Sequence, residues 1–156
     1  MSNIYYLTKN KLKEIEKEYQ VIKTALQEET AGGIPSFLEG GDPNPDFYLF
    51  EANFEDLNSR AEELENILKN HKIIQSPGKQ ERDKVQLGAQ VICKNGETEE
   101  TEYKIVGTIE ANPFEGKISN ESPVGMALIG KKVGDIINIP EIRKEYKILK
   151  IQYGEI

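Results

Sequence analysis

Apolar residues recur at two different periods along this chain. In the first half the period is helical. Leu12, Ile15, Tyr19, Ile22 and Leu26 are spaced 3, 4, 3, 4, the seam of a coiled coil. Phe50, Phe54, Leu57, Ala61, Leu64 and Leu68 repeat it at 4, 3, 4, 3, 4. Thr8 is a suitable N-cap for the first helix. The pattern fades at "TAGG", where Gly32 and Gly33 lower helix propensity and Pro35 disfavours helix at Ile34. Pro45 or Asp46 can open the second helix, which puts an acid at its positive end. Lys69, His71 and Lys72 are expected in its last turn. Two helices of about 20 residues, each roughly 30 Å long, joined by a non-helical loop, are expected to pair antiparallel. The loop then lies at the far tip. A lone pair of this length has a narrow core, so another domain is expected to hold its base.

In the second half the period changes to two. "AQVICK", "TEYKIVG", "DIINIP" and "EYKILKIQY" are rich in Val, Ile and Tyr and read as strands. Asn95-Gly96 stands between the first two, a hairpin signal. "ESPVGMALIGKKVGD" reads instead as one short helix, with Ser122 as cap and Pro123 in its first turn. The fold class is therefore α+β: an N-terminal antiparallel coiled-coil hairpin and a C-terminal antiparallel β domain with a short helix. The expected boundaries are 1–76 for the hairpin, with its tip loop at about 31–46, 77–84 for a linker, and 85–156 for the sheet domain.

Charge changes this picture. The net charge is −7, which argues against duplex binding by phosphate neutralisation. Residues 1–78 carry 8 Lys/Arg and 14 Asp/Glu, a net of −6, and no Lys or Arg stands between Lys23 and Arg60. That gap holds eight acids: Glu28, Glu29, Glu39, Asp42, Asp46, Glu51, Glu55 and Asp56. It is either a solvated helical surface or a prong that meets cations, as metal ions or a basic channel. No apolar run approaches 18 residues and the N-terminus lacks a signal-peptide core, so a cytoplasmic protein with no membrane contact is expected. A single cysteine fits that compartment.

Self-contained chemistry is missing from the sequence. There is no Walker A motif, no Gly-x-Ser-x-Gly, no Cys-x-x-Cys and no histidine cluster. Cys93, in an alternating segment, reads as a packing thiol. His71, the one histidine, has a helix-end or surface role. The run Glu97, Glu99, Glu100 and Glu102 reads as a solvated strand edge. What remains is "SFLEGGDPNPDFYLF", residues 36–50, read as irregular backbone carrying Glu39, Asp42 and Asp46. Mg²⁺ takes oxygen ligands, and a protein often supplies only one or two carboxylates. Two loop acids make a poor stand-alone metal site but a reasonable auxiliary one, lending ligands to an ion that another protein holds. Ordinary turn chemistry is the alternative for the same residues.

Taken together, "LGAQVICKNGETEETEYKIVG", "ISNESPVGMALIGKKVGDIINI", the Gly-Asp of the tip and "ELENILKNHKII" resemble the bacterial GreA/GreB family of transcription elongation factors. The resemblance spans nearly the whole chain. It implies an FKBP-like C-terminal domain that docks on RNA polymerase, and a coiled coil that reaches the polymerase active site through the secondary channel. It also implies two tip acids that help hold a second Mg²⁺ shared with the polymerase, none being bound stably by the factor alone. The polymerase then cleaves the 3′ end of a backtracked nascent RNA, so the factor is an activator and not an enzyme in its own right. A monomer is expected. Asp42 matches the family's first tip acid. The family's second acid, three residues later, is replaced by Pro45, with Asp46 next to it. The shifted pair is Asp42 and Asp46, with Glu39 in possible support. Phe37, Phe47 and Tyr48 either contact the polymerase or the frayed RNA end, or close the loop as a small core. Ser122, Pro123, Val124, Gly125 and Met126 resemble the family's polymerase-docking segment, and plain helix N-terminal structure is the other reading of them. The family also has a branch of inhibitory members, which occupy the channel without promoting cleavage.

Overall fold

A computed structural model of the protein describes residues 3–96 and 99–154. They form two compact units, one of Leu12–Asn70 and one of Met1–Lys11 with His71–Ile156. The division differs from the boundaries expected from sequence, because both flanks of the helical segment join the sheet unit. Strand β1 (Tyr5–Leu7) pairs in parallel with strand β4 (His71–Ile73), in register Leu7 to Ile73.

Two long helices, α1 (Lys9–Ala31) and α2 (Pro45–Lys69), build the first unit, with the first turn of α1 shared by the second. Thr8 caps α1 as expected, its hydroxyl accepting the Lys11 N–H at 3.2 Å. The helix stops at the expected glycines, and Gly33 takes a left-handed φ of 84°. Pro45 is the first residue of α2, where its missing N–H costs no hydrogen bond. Every seam residue is buried or half-buried. Ile15, Ile22 and Leu64 are buried, and so is Ile67, which lies outside the seam. Arg60 of α2 reaches Glu18 of α1 with an Nε–Oε1 distance of 2.7 Å, and Glu63 on its own helix at 2.8 Å. The end of α2 corrects the sequence reading. Asn70 returns its N–H to the Asn66 and Ile67 carbonyls and closes the helix. His71 and Lys72 are therefore strand residues of β4 and do not belong to the last helical turn.

The second unit is a five-stranded sheet. Its strands are β5 (Ala89–Asn95), β6 (Glu99–Val106), β7 (Lys117–Ser119), β8 (Ile136–Ile139) and β9 (Lys144–Tyr153), in the order β7-β6-β5-β9-β8. All four strands read from alternation are present, and Asn95 faces Glu99 across the expected hairpin. The sheet is not wholly antiparallel, because β7 runs parallel to β6. Helix α3 (Pro123–Leu128) follows β7. The core is aliphatic: Val85, Val91, Ile105, Leu128, Ile139 and Ile148 are each at most 1% exposed. Cys93 lies among them, and burial pushes its thiol up to about 11. That is a packing thiol, as expected. Glu99, Glu100 and Glu102 are exposed on the part of β6 that β7 does not cover, and Glu97 lies outside the described residues. The expected linker is anchored. Asp83 pairs with Lys132 at 2.7 Å, and the Tyr153 hydroxyl donates to the Lys84 carbonyl.

A pair of hydrogen bonds also ties the N-terminal segment to the rest of the sheet unit. The Glu110 carboxylate accepts the Thr8 N–H at 2.6 Å and the Thr8 hydroxyl at 2.9 Å. It acts as the glutamate of a capping box does, but from 102 residues away. Close by, Gly107 packs so tightly that a Cβ there would sit 1.9 Å from the Tyr6 carbonyl oxygen.

Candidate functional site

The turn between α1 and α2 is ordered by hydrogen bonds and is not the irregular backbone expected. Strands β2 (Leu38–Glu39) and β3 (Asp42–Pro43) form a small antiparallel hairpin. Its two-residue turn is Gly40-Gly41, with φ of 62° and 94°. A turn with both central residues at positive φ matches the natural twist of a hairpin, and glycine takes it without strain. The register sets Glu39 directly opposite Asp42. Directly opposed residues have Cβ atoms about 5 Å apart. Like charges at that spacing repel, so the pair gains from a cation between them.

Asp46 sits one turn of backbone further on, in the first turn of α2. Among the described residues, no hydrogen bond or ion pair engages the Glu39, Asp42 or Asp46 carboxylates, and Glu39, Asp42 and Asp46 are exposed. Their oxygens are available as ligands. No group of three His, Cys, Asp or Glu side chains suited to a metal ion occurs among those residues. The donor set thus suits an ion that brings most of its ligands with it.

Asn44 joins the pieces. It is buried, 8% exposed. Its N–H donates to the Phe37 carbonyl at 3.0 Å, its Nδ2 donates to the Ser36 carbonyl at 2.9 Å, and its Oδ1 accepts the Asp46 N–H at 3.0 Å. The sequence reading assigned Asn44 no role. The available signal was an asparagine immediately before a proline that opens a helix, the pattern of an N-cap followed by N1.

The three tip aromatics form one cluster of edge-to-face contacts. Phe37 lies 5.4 Å from Phe47 and 6.0 Å from Tyr48, and Phe47 lies 5.8 Å from Tyr48. The cluster closes the loop as a small core, yet Phe37 and Tyr48 remain 53% and 46% exposed. Both readings of these residues therefore keep a physical basis. Further down α2, Phe50 and Phe54 stack at 5.8 Å and line an open groove with Glu51, Glu55 and Asn58.

The other candidate segment lies in the sheet unit. Ser122 caps α3, accepting the Gly125 N–H at 3.0 Å and donating to the Ser119 carbonyl at 2.7 Å. Gly125 is buried where a Cβ would meet the Ser119 carbonyl oxygen at 2.0 Å. Val124 packs against the core. These three residues have clear structural duties. Pro123 and Met126 are the exposed members, Met126 by 62%, with Ile129 exposed beside it in the chain.

Comparison with known proteins adds a family to this geometry. Residues 79–153 match the family described as "Transcription elongation factor, GreA/GreB, C-term". The chain is 40% identical over 153 residues to a transcription elongation factor GreA of Clostridium acetobutylicum, covering 95% of this chain and 96% of that one. It is 42% identical over 151 residues to a GreA of Acetivibrio thermocellus, covering 94% of each. Among solved structures, the GreA factor homolog 1 (Gfh1) protein of Thermus thermophilus covers 96% of this chain and 99% of its own. It is 24% identical with a TM-score of 0.42, too low to carry a structural argument.

Proposed function

The chain belongs to the GreA/GreB family of transcription elongation factors, and from that premise we propose that it binds bacterial RNA polymerase through the secondary channel and stimulates cleavage of backtracked nascent RNA. The helices α1 and α2 act as an antiparallel coiled coil. Their cross-link supports this: Glu18 lies 13 residues before the end of α1 and Arg60 lies 15 residues after the start of α2. The FKBP-like sheet unit docks on the polymerase, with Pro123 and Met126 as its contacting side chains. The factor works as a cytoplasmic monomer and does not catalyse alone.

The observation that carries this reading is the tip. Asp42 stands at the foot of the Gly40-Gly41 turn with its carboxylate unengaged. Asp42, with Asp46 and Glu39, would lend oxygen ligands to a Mg²⁺ that the polymerase holds. That ion would stabilise the developing charge of phosphodiester cleavage and orient the attacking water. The exposed faces of Phe37 and Tyr48 would stack on the frayed RNA end. The long stretch without a basic residue suits a basic channel.

A second reading rests on one observation. Pro45 occupies the position of the family's second acid and, as the first residue of α2, has no carboxylate to offer. On that reading the protein occupies the channel and slows elongation. One assay separates the two. A stalled, backtracked elongation complex from the same organism is supplied with Mg²⁺ and the protein, and RNA length is followed. Shortened, re-extendable RNA is the expected result, lost in Asp42→Ala while polymerase binding is retained. Slowed elongation without cleavage would establish the second reading.

A further inference from the structure

We infer that Asn44 is the positioning residue of the tip, fixing Asp42 and Asp46 relative to one another. The inference rests on the cleavage-stimulating reading of the site. Asn44 lies midway between the two acids in Asp42-Pro43-Asn44-Pro45-Asp46. Each intervening residue is restricted. Pro43 and Pro45 have φ locked by their rings. Asp42 and Asn44 each precede a proline, which disfavours helical conformation at both, and Asn44 stands at φ −83°, ψ 116°. Backbone stiffness alone fixes a short path. It does not fix where that path sits against the ascending strand.

Asn44 supplies that second constraint. Its two donors, the N–H and Nδ2, bond the carbonyls of Phe37 and Ser36, and so seat the path beside β2. Its acceptor Oδ1 holds the Asp46 N–H, and so seats the first turn of α2. One buried side chain thus binds the strand side that carries Glu39 and the helix side that carries Asp46. Asp42 is tied between them. Backbone held in place leaves only the side chains to order when a cation is shared, whereas a loose loop has to order its backbone as well.

Two substitutions separate capping from positioning. Asn44→Ser keeps an acceptor for the helix and removes the Nδ2 donor to Ser36. Asn44→Ala removes both. The readout is the Mg²⁺ concentration for half-maximal stimulated cleavage, with polymerase affinity and thermal unfolding measured in parallel. Asn44→Ser is expected to unfold and bind polymerase as the wild type does, yet to need about tenfold more Mg²⁺, a factor equivalent to 1.4 kcal/mol. Asn44→Ala is expected to show the same shift with lower helix stability. A merely structural role would move stability or binding and leave the Mg²⁺ requirement unchanged. An unchanged requirement in both variants, with Asp42→Ala still inactive, would overturn the role of Asn44 alone. A wild-type protein that stimulates no cleavage would overturn this inference and the proposed function together.

Discussion

Replacing Glu110 by alanine is expected to weaken the sheet unit through a residue at the start of a distant helix. The Glu110 carboxylate accepts two hydrogen bonds from Thr8, at 2.6 and 2.9 Å. A hydrogen bond to an ionised group contributes roughly 1.5–3 kcal/mol net, so the pair has a ceiling of about 3–6 kcal/mol. Glu110 is only half-buried, and water can replace part of what is lost. Against that, Thr8 is 8% exposed, so its N–H would be left inside without an acceptor. About 2–3 kcal/mol is the resulting expectation for Glu110→Ala. Thr8→Val keeps the N–H bond, loses the hydroxyl contacts, and is expected to cost about 1 kcal/mol. The assay is urea unfolding followed by near-ultraviolet circular dichroism. The packed Tyr103–Tyr146 pair of the sheet, whose ring centres are 6.1 Å apart, contributes to its signal. The double mutant should reveal a coupling of about 1 kcal/mol. A Glu110→Ala loss under about 0.5 kcal/mol, the size of an ordinary surface substitution, would refute the reasoning.

Two further outcomes are expected. Gly125→Ala drives a Cβ to 2.0 Å from the Ser119 carbonyl oxygen. Backbone has to move, so a loss of about 3 kcal/mol is expected in the same urea assay; near-neutral stability would mean that α3 shifts freely. Cys93 should resist alkylation at pH 8 in the folded protein and react at once in urea. Its folded thiol is raised from 9.0 to about 11. The folded state therefore holds the proton more tightly, so this contribution to stability is intact below pH 9 and is lost as the pH rises towards 11. Rapid alkylation of the folded protein would show that the β5 core opens locally.

The long-range plan of the molecule was legible because it is written in repeats. The two seams predicted both helices, and alternation found β5, β6, β8 and β9. Three-residue elements escaped. β1 and β4 pair across 66 positions, and three residues are too few for alternation to be seen. β7 joins β6 in parallel through a turn of Asn112–Gly116, where the Asn112-Pro113 dipeptide marks a turn but not the direction of the strand that follows. The tip hairpin was missed for a different reason. Gly40-Gly41 is a hairpin signal, but the two prolines after it suggested irregular chain. In fact Pro43 is the last paired residue and Pro45 opens a helix, two places where a proline fits. The tip acids were visible by type. Their arrangement was not, because it depends on Asn44, whose three partners come from both sides of the turn.

Pro45 also has a bearing on chemical ageing. An asparagine loses its amide when the next backbone nitrogen, freed of its proton, attacks the side-chain carbonyl and closes a succinimide ring. The nitrogen after Asn44 belongs to Pro45, which has no proton to lose. That route is closed at Asn44, while Asn95, followed by Gly96, keeps it open. Slow deamidation of a stored sample is thus directed to the β5–β6 hairpin, and the residue that holds the tip together keeps its amide.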